Sequence, residues 1–229
     1  MNRLFMITPL LTAMALPAMA KTILSLNATG SAQTVPDEAV ATFEAQATAP
    51  GAGDAQNTVN QQVAKALAAA HIVSSVTATT SGYNTYAIMP DHQTSPEFTT
   101  TQNLTLIQPA VGGVPNAAFN NLLAKLQSEG LLLTGLRGDL SIAGRQHLQR
   151  EAMRNALEEL HEDAKTIADS LHLKISALEA LSVDANSDFA PPVGPRVMAL
   201  PADAPPQAAP EAVSITARVS AKFDLEPAS

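Results

Sequence analysis

The stretch VSITARVSAKFDL, residues 213–225, decides the fold. Val213, Ile215, Ala217, Val219, Ala221, Phe223 and Leu225 alternate without a break with Ser214, Thr216, Arg218, Ser220, Lys222 and Asp224. A two-residue period sends successive side chains to opposite faces of a strand, so one face is buried and the other is wetted or covered by something polar. Antiparallel sheets with one packed face use strands of this kind.

Working back from it, residues 190–210 hold seven prolines, with alanine filling much of the rest. Such a run can neither pair in a sheet nor form a helix, and it reads as an extended surface loop returning the chain to the sheet. Leu173 to Val183 reads as the preceding strand. Before it comes the longest helix, Arg145 to Leu171, with Met153, Leu157, Leu160, Ala164, Ile167, Ala168 and Leu171 on one face and Glu158, Glu162, Asp163 and Lys165 on the other. At 1.5 Å per residue it spans about 40 Å, enough to lie across a sheet.

Toward the N-terminus, Leu136, Leu140 and Ile142 mark a strand. Phe119, Leu122, Leu123 and Leu126 form a helical stripe that Gly130 ends. Phe98 to Ile107 pairs with Val76 to Ala87 as a hairpin, Leu104 and Leu106 facing the core. Val59, Val63, Leu67 and Ala70 mark a helix ending near His71, with Asp54 as its N-cap. Thr22 to Ala28 and the alternating run Ala39 to Ala47, joined through Pro36-Asp37, read as an opening hairpin. The order is β-β-α-β-β-α-β-α-β-β, an α+β fold whose mainly antiparallel sheet carries helices on one face.

The N-terminus reads as a secretory leader. Asn2-Arg3 gives a basic start, Leu4 to Leu16 an apolar run too short to span a bilayer, and Ala18-Met19-Ala20 a small-x-small cleavage pattern. Cleavage near Ala20 leaves residues 21–229 as one domain, in the periplasm or the medium. No later segment reaches the ~20 apolar residues of a membrane-spanning helix.

Composition narrows the chemistry. The chain is 46% hydrophobic and 15% charged, as folded globular domains are. Formal net charge is −8, or −9 once Arg3 leaves with the leader, and no basic run occurs, which argues against nucleic acid and anionic lipid as partners. The chain has no cysteine, so disulfides, thiolate metal sites, Cys nucleophiles and lipoprotein anchoring are excluded. Aromatic residues make up 3%, which disfavours sugar binding by stacking.

Four places resemble the SIMPL-domain family of bacterial envelope proteins. They are Thr29-Gly30 with Pro36-Asp37-Glu38-Ala39; the Thr79 to Tyr86 strand leading into Phe98 to Leu104; the Ala-rich helix with Ala152, Ala156, Ala164-Lys165 and Ala168; and the proline-rich segment before the last strand. The likeness covers nearly all of residues 21–229. It departs at Glu97-Phe98, where the family usually has Gly-Tyr, and at His172, where the family has Gly after the long helix. The resemblance implies an envelope protein, sometimes linked to oxidative-stress defence, with self-association among relatives and no catalytic motif to carry over.

Residue patterns add no reaction. Glu158-x-x-His161 and His147 with Glu151 each put a carboxylate and an imidazole on one helix face. A helical metal site needs matching ligands from other helices, and no second Glu-x-x-His exists; a solvated face is the expectation. No Gly-x-Ser-x-Gly elbow and no Gly-rich phosphate loop occurs. No catalytic, metal-binding or cofactor-binding residue and no cofactor is therefore assigned. The expectation is a non-enzymatic periplasmic protein working through protein–protein contacts, its own copies and other envelope proteins included. The last strand is the expected docking element should it lie at a sheet edge. The alternative is a binding module holding a small apolar or peptide ligand between sheet and helices.

Overall fold

A computed structural model describes residues 22–89, 95–184 and 211–228. The leader and the proline-rich stretch fall outside the described residues. The elements are β1 (Thr22–Thr34), β2 (Glu38–Ala49), α1 (Ala52–Ile72), β3 (Thr77–Ile88), β4 (Glu97–Pro109), α2 (Ala117–Ser128), β5 (Leu132–Asp139), α3 (Ile142–Ser170), β6 (Leu173–Asp184) and β7 (Val213–Pro227). The fold is α+β and every strand pairing is antiparallel.

The strands form two sheets, β1-β7-β6 and β3-β4-β2-β5. The first packs on α3, burying Ala28, Ala32 and the odd-numbered residues of β7 from Val213 to Phe223 against Leu148, Ala152, Ala156, Leu160 and Ala164. The second packs on α1 and α2 through Ala39, Ala41, Phe43, Leu104, Leu106, Phe119, Leu122 and Leu123. Fully burying a side chain such as Phe43 or Leu104 contributes about 1.5–3 kcal/mol.

The opening strands are therefore not a hairpin. β1 pairs with β7, whereas β2 lies between β4 and β5. The switch happens at the Pro36-Asp37 corner. The Asp37 amide donates to the Asp139 carbonyl at 3.1 Å, and its carbonyl accepts from the Ala110 amide at 2.8 Å. The ends of β5 and β4 thus capture β2 as soon as it leaves the corner, which local periodicity could not reveal.

Three boundaries also differ from the sequence reading. Gly51, not Asp54, caps α1: the amides of Asp54 and Ala55 both donate to its carbonyl, and Asp54 sits in the first turn, where its charge suits the helix N-terminus. β5 stops at Asp139, and α3 begins at Ile142 because Ser141 caps it, its hydroxyl oxygen accepting from the Gly144 amide at 3.0 Å. Leu140 is buried beyond the strand, while Ile142 is exposed.

The buried stripe of α3 is Leu148, Ala152, Ala156, Leu160, Ala164 and Ala168, and Leu157 and Leu171 are exposed. Small residues win because the helix backbone lies directly on Gly30 of β1. A Cβ there would overlap the Ala156 amide nitrogen and the Ala152 carbonyl oxygen and stand 2.7 Å from the Ala156 Cα. The family-like glycine and alanines are two sides of one close contact. His172 follows α3 with φ of 55°, in the left-handed region that glycine fills most easily.

Candidate interaction site

β7 has the burial pattern its alternation predicts, buried at every odd position from Val213 to Leu225. It is nevertheless the central strand of its sheet, paired on both sides, so it offers no edge to a partner. Among the described residues, the strands with one unpaired side are β1 and β6 in one sheet, and β3 and β5 in the other.

These four edges differ in chemistry. β5 is short, carries Arg137 and Asp139, and its pairing with β2 is interrupted at Thr42/Phe43. β6 carries Lys174, Glu179 and Asp184, and its register with β7 slips twice. Charges and bulges are the usual means of keeping an edge from pairing. β1 has 13 residues with no charge, no proline and an unbroken register. β3 has 12 residues, again with no charge or proline, and one bulge between Ser81 and Asn84, where Gly82 takes φ of 64°. Tyr83 and Tyr86, 44% and 49% exposed, lie along this second edge.

A polar clasp sits where the two sheets meet α3. The Asp37 carboxylate accepts from the Ser141 amide at 2.6 Å and from its hydroxyl at 2.7 Å. Asp139 accepts from Arg145 Nη2 at 2.9 Å and from the Leu140 amide at 2.8 Å, with Arg137 at 3.5 Å. Glu38 stands beside this group. Partial burial, then the neighbouring charges of Asp37 and Asp139, push its carboxyl above the ordinary value, with Arg145 opposing them. Both carboxylates are engaged by amides, a hydroxyl and guanidinium groups, and the arrangement holds the start of α3.

The helix pairs weighed from the sequence do not gather into a centre. Glu158, His161 and His147 are exposed on α3 and Glu151 is half-buried. Among the described residues no three His, Asp or Glu side chains are placed to hold a metal ion. The space between sheet and helices is filled by Phe43, Leu104, Leu106 and Phe119. A cleft of about 380 Å³ lined by Gln62, Lys65 and Glu129 is polar and open to solvent, unlike a closed apolar pocket. No described helix is long and apolar enough to cross a membrane.

Sequence reasoning missed the clasp and the β1 edge. Pro36-Asp37 signalled a turn but not its partner 104 residues on. The uncharged composition of residues 22–34 was visible, but only the sheet order makes it an edge.

The fold is an α+β arrangement of two antiparallel sheets, one backed by α3 and the other by α1 and α2, with a polar clasp at the start of α3. The chain belongs to the SIMPL family, described as a protein of unknown function (DUF541), whose model matches residues 24–223. No curated protein matches the chain.

Proposed function

We propose that this SIMPL protein is a non-enzymatic, exported protein that works through protein–protein contacts, its own copies included, in envelope maintenance or oxidative-stress tolerance. The observation that carries this reading is that both sheets end in a long strand edge, β1 and β3, lacking the charges and prolines that block pairing. A 12- or 13-residue edge presents a row of backbone donors and acceptors at every second residue, which is a template for an added strand. The leader pattern at residues 1–20 supports export, and the envelope setting is what the resemblance to SIMPL proteins implies.

The test is the solution mass of the purified chain from Lys21 onward, by light scattering after size exclusion. A discrete multiple of the monomer mass is expected. A monomer at every concentration sinks the self-assembly part of the reading.

A further inference from the structure

We propose that the free edge of β1 takes an added strand from a basic partner, an extended segment of another protein with Lys or Arg at alternate positions. This rests on the reading of the protein as an interaction module and gives one of its partners a chemistry.

The edge itself is built for pairing. β1 keeps one register with β7 over all 13 residues, without the bulges that twist β3 and β6. Leu24 and Leu26 are only half-buried beside α3, and Ile23 is 50% exposed on the opposite face. An added strand would cover this apolar surface and satisfy the outward backbone groups on the Thr22 side of Ser31, whose own carbonyl is held by Asn155.

The flank of the edge sets the charge of the partner. Asn155 Nδ2 donates to the Ser31 carbonyl at 2.8 Å, which identifies the side of α3 that overhangs β1. Residues four before, four after and seven after Asn155 share that side of a helix. They are Glu151, Glu159 and Glu162, with Glu159 and Glu162 exposed. A strand laid beside β1 would send every second side chain toward this acidic row, so cations there gain and anions lose.

A second copy of the chain does not fit. Two-fold pairing of β1 with itself would bring the same glutamates of both copies together. None of the other described edges supplies alternating cations: β3 has no charge, β5 carries one Arg and one Asp, and β6 carries one Lys against Glu179 and Asp184.

The test uses three labelled peptides of about ten residues, long enough to pair along most of β1. They are alternating Lys-Thr, alternating Glu-Thr, and Lys-Pro, which keeps the charge but cannot donate ladder bonds. Fluorescence anisotropy against the purified chain should show Lys-Thr binding at least about tenfold tighter than either control. The double substitution Glu159→Lys, Glu162→Lys should abolish that preference and favour Glu-Thr. Asn27 turns its backbone groups to the same side as Ser31, so Asn27→Pro should remove binding. The exposed helix variants keep the test decisive if the proline variant fails to fold.

Absence of Lys-Thr binding overturns the proposal, as does equal binding of Lys-Pro or indifference to the helix charges. Light scattering on the same samples separates the two readings. An oligomer that persists without peptide binding removes the basic partner and leaves assembly standing. An oligomer that Asn27→Pro reduces to monomer assigns the β1 edge to a second copy, and that also overturns the basic partner.

Discussion

Asp37 and Ser141 are joined by two hydrogen bonds, from the Ser141 amide at 2.6 Å and from its hydroxyl at 2.7 Å, across 104 residues of chain. Ser141 in turn caps α3, so the corner that moves the chain from one sheet to the other also fixes where the long helix begins. One carboxylate thus couples both halves of the molecule. Asp37→Ala should cost about 1–2 kcal/mol, the range for hydrogen bonds to an exposed charged acceptor with a weakened cap. Urea unfolding measures it, and a midpoint equal to the wild type would deny the clasp a stabilising role.

Gly30→Ala should be among the most damaging single-methyl changes in the protein. The added carbon meets the backbone of Ala152 and Ala156, which cannot rotate away. We expect a loss of about 3 kcal/mol or more, at the upper end for overpacking. Ala156→Gly should not rescue it, because the contacted atoms are backbone. Thermal unfolding of the single and double variants decides this, and rescue would mean that the helix is free to shift.

His172→Gly should stabilise. The residue holds φ of 55° after α3, a conformation costing a non-glycine residue about 1–2 kcal/mol, offset in part by the greater freedom of glycine in the unfolded chain. A net gain of about 0.5–1 kcal/mol is expected by chemical denaturation. A loss would show that the His172 side chain makes a compensating contact.

Glu38 gives a pH dependence of defined sign. Its carboxyl is raised by burial and by Asp37 and Asp139, so in the pH range just above the ordinary carboxylate value the folded chain holds a proton that the unfolded chain has released. Its contribution is therefore fully present below the unfolded value and is lost as pH rises through the folded one. Glu38→Gln removes that loss. The variant should gain stability relative to the wild type at about pH 7 and less at about pH 4. Melting curves at both pH values check this, and a gain confined to the acid side would reverse the assignment.

The elements whose burial follows from side-chain periodicity were readable in the chain. β7 is buried at each position its alternation marks, and Phe119, Leu122, Leu123 and Leu126 form the inner face of α2. In α3 the length was readable and the face in part, since Leu160, Ala164 and Ala168 are buried as their spacing marks. The same spacing pointed to Met153 and Leu157, whereas the contact there runs through Ala152 and Ala156, because a helix lying on a glycine needs small residues. The departure at His172 was visible in the sequence, and its meaning became physical only with the backbone angle.

By itself the sequence determined the α+β class, the order of elements and the acidic, cysteine-free surface, because composition and periodicity depend on each residue and its near neighbours. Tertiary structure alone decided that β1 and β2 part company into separate sheets, that β7 is central and that β1 is an edge. Strand partners are chosen by contacts between residues far apart in the chain, such as Thr22 with Leu225 and Asp37 with Ser141. Those contacts depend on which faces and backbone groups remain unsatisfied after local structure forms, and no local pattern encodes that remainder.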